Sequence, residues 1–247
     1  MELESKITDI IEKVWTNLVA TTNSQEKFNK EFLRFAPDLR KYIDARLRTS
    51  VSKEQLHANE YKVDDFLDEL YLKAYENIKR FDTAEGYYIW MIQQLDMLLD
   101  DATTEEEFND IFFKNIDDYT QQEWESMQEN FTKDAGGDLV MLEDLDDNSY
   151  SKYQYQLQDV FVDDSSQKMI EELSDKLNEE EIHHHIDLII NNLPLNERVI
   201  FQQSVLLGST IPEVARINKA KENEIEEKLK AIRMTIQKSF VIRYNTK

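Results

Sequence analysis

The chemistry available to this chain comes mainly from carboxylates, and one group of them is spaced for binding a partner. Between residues 63 and 78, apolar side chains recur every fourth position from Phe66 to Ile78, which predicts a helix with one buried face. The other face carries charged side chains, namely Asp65, Asp68, Glu69, Lys73 and Glu76. Carboxylates placed this way suit basic or polar groups on another protein.

The run His183-His184-His185 is the one cluster of residue types that suggests a metal site. Consecutive helical residues point about 100° apart, so one ion cannot readily bind all three. We therefore interpret the run as a solvated helix start. The chain has no cysteine and four glycines, and it lacks a phosphate-cradling glycine loop. We expect no catalytic residue, no cofactor, no metal and no enzymatic activity.

Periodicity predicts helices throughout, and the fold class we expect is all-α. Apolar stripes indicate helices over residues 3–19, 38–48, 63–78 and 87–99, and a further helix that is capped by Ser24 and ends at Pro37. A turn is expected over residues 80–86. In the helix over 38–48, Arg46 is expected to point outward. Trp90 is interpreted as a core anchor of its helix. Beyond residue 101 the pattern loosens, with two short helices possible over 105–116 and 121–131. We predict a linker over 132–166, with helix resuming near Gln167.

Charge is distributed unevenly along the chain. The net charge of the whole chain is -22, and counting Asp, Glu, Lys and Arg over residues 101–181 gives -20 for that segment alone. A surface for a basic partner and a solvated, partly disordered connector remain equal alternatives. We find no signal peptide and no apolar run long enough for a membrane span, and therefore expect a cytoplasmic protein without membrane partners.

The C-terminal third has the pattern of a helix-turn-helix. Thr210 and Glu213 form a predicted capping box for a short helix over Ile211 to Ile217. A turn over 218–222 follows, and Asn223 is expected to cap a longer helix. In such motifs the second helix commonly enters the DNA major groove.

Two stretches together carry a family resemblance. The C-terminal stretch resembles the fourth domain of bacterial sigma factors of the extracytoplasmic-function group, and the matching positions are Leu193, Pro194, Arg198, Gly208, Thr210, Glu213, Val214, Ala215, Ile217, Ile225, Leu229 and Arg233. The stretch from Asp65 to Tyr75, with Arg80-Phe81-Asp82 and Trp90, resembles the second domain of the same family. The resemblance covers residues 25–101 and 182–240.

The resemblance implies a division into four parts. These are an N-terminal helical extension (1–24), a domain-2-like helical bundle (25–101), an acidic linker (102–181) and a domain-4-like helix-turn-helix unit (182–247). The implied partners are core RNA polymerase, through its beta-prime clamp helices and beta flap, and promoter DNA. The chain would then associate with the nucleoid through polymerase.

The same resemblance assigns roles to residues. Those implied to bind polymerase are Asp65, Phe66, Asp68, Glu69, Leu72, Lys73 and Glu76. Those implied to face DNA in the domain-2-like bundle are Arg80, Tyr87, Tyr88, Gln93, Gln94 and Met97. Those implied to face DNA in the helix-turn-helix unit are Arg216, Lys219, Lys221, Asn223, Lys228 and Arg233. Tyr87 and Tyr88 are equally compatible with core packing, and the lysines with solvated helix surface.

The chain departs from the family at positions that face DNA. Asp96-Met97 stands where the family has Arg-Asn, and Glu224, Glu226 and Glu227 occupy the start of the predicted recognition helix. Glutamates facing phosphates add repulsion. We therefore expect a sigma factor that binds polymerase but reads promoters weakly, recruited to DNA by an activator or a nuclease-inactive RNA-guided CRISPR effector. The alternative is an acidic, sigma-like decoy that binds polymerase and inhibits it.

Overall fold

The structure is a computed structural model that describes residues 6–20, 25–53, 55–56, 61–113, 131–133, 139–141, 155–162 and 167–244. It is mostly helical, as the sequence predicts. The helices are α1 (Lys6–Ala20), α2 (Gln25–Phe32), α3 (Ala36–Ser52), α4 (Val63–Asn77), α5 (Ala84–Phe113), α6 (Leu157–Val160), α7 (Gln167–Lys176), α8 (Glu179–Asn192), α9 (Leu195–Val205), α10 (Ile211–Ile217) and α11 (Glu222–Tyr244).

Helices α1–α5 form an N-terminal bundle around aromatic side chains. Phe28 of α2 packs edge-on against Tyr75 of α4, with ring centroids 5.1 Å apart, and Phe32 packs against Tyr71 at 5.2 Å. Trp15 of α1 lies 5.5 Å from the ring of Tyr87 on α5. Helix α1, the described part of the predicted N-terminal extension, is therefore part of this core.

Helices α8–α11 form a C-terminal bundle that contains the predicted helix-turn-helix. Helix α10 has the bounds predicted from the sequence, and the Glu213 carboxylate accepts the backbone N–H of Thr210 at 2.7 Å, as the capping box requires. Asn223 is not the cap of α11, because that helix already begins at Glu222. In the turn between the two helices, Lys219 has a positive φ of 53°.

Part of the predicted linker is packed structure. Residues 155–162 contain the short helix α6, whose neighbour Phe161 lies 6.2 Å from Phe240 of α11. The prediction of a connector there is wrong, since four apolar side chains of this segment are buried: Tyr155, Leu157, Val160 and Phe161. Helix α7, over Gln167–Lys176, agrees with the predicted return of helix near Gln167.

Two further features of the 102–181 segment differ from the expectation. Helix α5 does not end near residue 99 but continues to Phe113, so that its 30 residues span about 45 Å. Residues 131–133 and 139–141 form a two-stranded antiparallel ribbon, β1 and β2, which pairs Thr132 with Val140. No strand was expected there. The remaining residues of the predicted short helix over 121–131 lie outside the described part of the chain.

Two side-chain predictions are wrong because the residues are buried. Arg46 points into the fold: it lies seven residues, or two helical turns, after the buried Leu39 and therefore shares its face. His183 and His185 are also buried, and only His184 between them is exposed. His183 bonds the carbonyl of Tyr155, and His185 bonds the Ser239 hydroxyl at 2.9 Å. Within the described ranges, no helix is long and apolar enough to cross a membrane.

Candidate functional site

The candidate partner-binding face is the outer side of α4. Helix α4 starts after the extended residue Lys62, and Asp64 and Asp65 in its first turn complement the positive end of the helix dipole. Its inner face buries Phe66, Leu67, Leu70 and Ala74 against the bundle. The α4 face, as we call it below, consists of the exposed or half-exposed residues Asp65, Asp68, Glu69, Leu72, Lys73 and Glu76.

Few of the charges on the α4 face are used within the protein. Lys73 pairs with Glu69 one turn away at 3.2 Å, a surface contact of small energetic value. Among the residues that the structure describes, Asp65, Asp68 and Glu76 form no ion pair. These three carboxylates are therefore available to an external cation.

The α4 face also offers apolar surface. Leu72 lies between the carboxylates and is 52% exposed. Beside it, a groove of about 440 Å³ runs between α2 and α4, and its lining includes Asp68, Tyr71 and the 58%-exposed Leu33. A protein that presents basic and apolar side chains together would match both properties.

Phe66 does not belong to the exposed face. Its side chain is 7% exposed, and its ring lies 6.2 Å from that of Tyr61. The spacing of the stripe already placed Phe66 inward, and only the resemblance placed it among the polymerase contacts. In this conformation Phe66 supports α4 from inside.

Tyr87 and Tyr88, the two tyrosines predicted either to stack on a base or to pack in the core, are both fully buried. The Tyr87 hydroxyl donates to the carbonyl of Ala74 at 3.2 Å, and the Tyr88 hydroxyl lies 2.5 Å from that of Ser209. Burial raises the pKa of both phenols well above the usual value. The structure therefore places them in the core arrangement. Trp90 packs against Phe81, with centroids 5.2 Å apart, as expected of a core anchor.

The remaining predicted DNA-facing residues of the N-terminal bundle divide into two sets. Arg80 and Met97 are exposed. Gln94 is half-buried, and its amide contacts the Met97 sulfur at 3.8 Å. The Gln93 amide is occupied, because it donates to the carbonyls of Arg216 at 3.2 Å and Ile217 at 3.1 Å. Gln93 thus caps the end of α10, where the Arg216 carbonyl also accepts the backbone N–H of Lys219 at 3.4 Å.

The predicted DNA-facing residues of the helix-turn-helix unit are also partly occupied. Arg216 pairs with Glu85 of α5 at 2.5 Å, and Lys228 pairs with Glu224 at 2.7 Å. The Lys228 hydrogen bond and charge lower the pKa of Glu224. Arg233 turns inward and donates to the carbonyl of Asp159 at 3.2 Å.

The other three predicted residues of this unit are Lys219, Lys221 and Asn223, and all three are exposed. Glu222, Glu224, Glu226 and Glu227 are exposed in the first turns of α11. Carboxylates therefore dominate the start of α11, with Lys219 and Lys221 before them and Lys228 after them. Such a surface is not a continuous basic patch for phosphates.

Asp96 is the centre of a network that sequence reasoning missed. Its carboxylate, whose side chain is 17% exposed, accepts the Tyr42 hydroxyl at 2.5 Å and the Gln203 amide at 2.8 Å. Arg46 approaches it at 3.3 Å and bonds Asp100 at 2.7 Å. Burial raises the pKa of Asp96 to about 6, although the Arg46 charge opposes the shift.

The network continues into the helix-turn-helix. The Asn218 amide donates to the Gln203 side chain at 2.6 Å, so that the turn after α10 is linked through Gln203 to Asp96. One feature of the sequence could have indicated this network. Arg46 falls on the apolar stripe of α3, and a buried arginine usually pairs with a carboxylate. Sequence pattern carries no signal for Gln203, which is separated from Asp96 by 107 residues.

No metal site accompanies these groups. Among the described residues, no three His, Asp or Glu side chains are placed to hold one ion. His183 and His185 are instead bonded to different elements, as described above.

Comparisons with known proteins do not extend the resemblance. The chain matches no protein-family model, and searches among curated proteins and solved structures found no similar protein.

Proposed function

We propose that this protein is a divergent sigma factor that binds bacterial core RNA polymerase through the α4 face. It would read promoter DNA weakly by itself and be brought to DNA by another factor, such as an activator or a nuclease-inactive RNA-guided CRISPR effector. The observation that carries the proposal is the α4 face itself, where Asp65, Asp68 and Glu76 surround the exposed Leu72 and form no ion pair with any described residue. Its acidic and apolar character suits a basic, amphipathic coiled-coil partner such as the clamp helices.

The weak promoter reading is supported by the other predicted sites. Tyr87, Tyr88, Gln93 and Arg216 are bonded or packed inside the protein, and α11 begins with four glutamates that no lysine separates. A protein that neutralises few phosphates gains little from counterion release. DNA targeting would therefore come from a second protein.

The experiment is co-elution of the purified chain with core RNA polymerase from a sizing column at moderate salt. The test variant is Asp65→Lys/Glu69→Lys, and the matched control is Glu171→Lys/Glu172→Lys on α7, where two exposed carboxylates undergo the same change in charge. We expect the native chain and the control to co-elute with polymerase and the α4 variant to elute alone. Co-elution of all three proteins, or of none, would refute binding through this face.

The second candidate function is the inhibitory decoy. It is favoured by the occupation of Gln93 and Arg216 within the chain, because such a protein would hold polymerase without engaging a promoter. Transcription from a template with purified polymerase separates the two candidates. A sigma factor supplied with its recruiter increases transcript, whereas a decoy decreases the transcript made with another sigma factor.

A further inference from the structure

One side of the long helix α11 is exposed along most of its length. The opposite side is buried against the rest of the C-terminal bundle through five apolar residues, namely Ile225, Leu229, Ile232, Ile236 and Phe240. The exposed side carries a row of residues that we call the α11 seam. The seam consists of Glu224, Glu227, Ala231, Met234, Lys238 and Val241, all of which are exposed.

The spacing of the α11 seam is that of a coiled coil. Its residues follow one another at intervals of three, four, three, four and three, which is the heptad spacing of two helices packed side by side. Met234 is 43% exposed and Val241 is 36% exposed, and Ile242 beside them is 80% exposed. Large apolar side chains that are contiguous on an exposed helix face indicate contact with another chain.

The two halves of α11 carry opposite charge. Residues 222–229 contain four glutamates and one lysine, whereas residues 230–243 contain two lysines, two arginines and no acidic residue. The helix dipole favours such a distribution, but only in the first and last turns. Glu227 and Lys238 lie between those turns, and neither forms an ion pair with a described residue. A partner with the complementary distribution would satisfy both.

A second copy of α11 has that distribution when it lies antiparallel to the first. If Ala231 of one copy packs against Met234 of the other, then Glu227 falls opposite Lys238 of the other copy. The arrangement has two-fold symmetry, so this pair of opposite charges occurs twice. A parallel arrangement would instead place Glu227 against Glu227 and Lys238 against Lys238. Charge therefore selects the antiparallel pair.

We propose that the α11 seam binds the α11 seam of a second copy of this chain in an antiparallel, two-fold symmetric dimer. The inference goes beyond the proposed function and does not rest on it, because no residue of the α4 face takes part. The helices would overlap from residue 224 to residue 241, a length of about 27 Å. One helix from each copy makes a small interface, so the dimer is weak and its population depends on protein concentration.

The test begins with sedimentation velocity of the 247-residue chain at physiological ionic strength, where salt screens the repulsion between two copies of net charge -22. We expect the average mass to rise from 29.4 kDa towards twice that value over about 1–200 μM, a range that spans micromolar dissociation constants. Met234→Asp, which places a charge at the centre of the seam, should abolish this rise.

Two charge reversals then examine the pairing itself. Glu227→Lys and Lys238→Glu each set like charges opposite one another at both symmetric positions, and each should weaken dimerisation about tenfold. The matched control is Glu226→Lys, which makes the same change in charge at a position that points about 100° away from Glu227. This control should dimerise as the native chain does.

An equimolar mixture of the two single variants gives the decisive measurement. In a mixed dimer, the lysine introduced in one variant faces the glutamate introduced in the other, and native Lys238 faces native Glu227. We therefore expect the mixture to dimerise about as tightly as the native chain. Positions 227 and 238 lie about 16 Å apart along one helix, so a contact within one chain cannot produce this recovery.

Three results would overturn the proposal. The first is a native chain that remains monomeric at every concentration, which would leave the α11 seam to a different protein. The second is a dimer that Glu227→Lys and Lys238→Glu do not weaken, although circular dichroism shows that both variants are folded. The third is a mixture that dimerises no more tightly than the single variants. Since polymerase is absent, these results do not depend on binding through the α4 face.

Discussion

The α4 face and the Asp96 network, which joins α3, α5 and α9, are both rich in charged and polar groups, but the two regions differ in how these groups are bonded. On the α4 face, Asp65, Asp68 and Glu76 make no ion pair with any residue that the structure describes. In the Asp96 network, Asp96 receives hydrogen bonds from three side chains on two other helices. Similar residue types are thus left exposed in one region and bonded within the fold in the other, and substitutions should have different effects in the two regions.

The largest effect is expected from Arg46→Met. This change leaves Asp96 as a buried carboxylate without its cation, and the unfolding free energy should fall by about 3–5 kcal/mol. The matched control is Arg40→Met, which removes the surface pair with Asp64 and should cost less than about 1 kcal/mol. Urea unfolding measures the free energy of unfolding of both variants. Equal losses in the two would show that the Asp96 network stabilises the fold no more than a surface ion pair does.

Two leucines of α4 provide a second comparison. Leu70→Ala removes a fully buried side chain and should cost about 2–5 kcal/mol. Leu72→Ala, two residues later, removes an exposed one and should change stability by about 0.5 kcal/mol or less. In the co-elution assay with folded protein we expect the reverse order of effects. Leu72→Ala weakens polymerase binding more than Leu70→Ala does. Unimpaired binding by this variant would remove Leu72 from the proposed face.

The titration of Asp96 is expected to make the fold more stable in mild acid. Because its pKa in the folded state, about 6, lies above the ordinary value of 3.8, the folded chain binds this proton more tightly than the unfolded chain does. Protonated Asp96 contributes on the order of 3 kcal/mol to the free energy of unfolding. This contribution is fully present below about pH 4 and is lost as the pH rises through about 6. Other carboxylates also titrate in this range, so the quantity to measure is the difference between the native chain and Asp96→Asn at pH 4.5 and pH 7.5. A pH-independent difference would contradict the raised pKa.

The smallest effect concerns the turn of the helix-turn-helix. Lys219 has a φ of 53°, a conformation that disfavours side chains with a Cβ, so Lys219→Gly should stabilise the fold by about 1 kcal/mol. Lys230→Gly, in the exposed interior of α11, should destabilise it by about 1 kcal/mol. Opposite shifts in the melting temperature would support the strained turn, and shifts of the same sign would not.

The sequence predicted what depends on local pattern. The bounds of α10 and the inward stripe of α4 follow from capping residues and a period of 3.6, and both are confirmed. The packing of residues 155–162 was missed because its apolar residues are few and are separated by polar ones, so that only contact with α11 gives them a buried face.

The candidate site could be predicted only where it is local. The carboxylates of the α4 face lie within three helical turns and are readable from spacing. The Asp96 network joins α3, α5 and α9, and no periodicity within one helix indicates which polar residue meets another across 50 to 107 intervening positions. The burial of His183 and His185 was missed for the same reason, since their partners lie at Tyr155 and Ser239.

The sequence separation between the two bundles has a consequence for the order of folding. Thr49 and Asn191, which join the bundles, are 142 residues apart, about twice the separation of Arg233 and Asp159 within the C-terminal part of the fold. Since a doubling of loop length costs about 0.6 kcal/mol of closure entropy, contacts within each bundle form at a lower entropic cost than contacts between the bundles. Each bundle should therefore assemble before the two dock. During synthesis, helices α1–α5 leave the ribosome first, and their Tyr88 face remains uncovered until the last third of the chain has been translated.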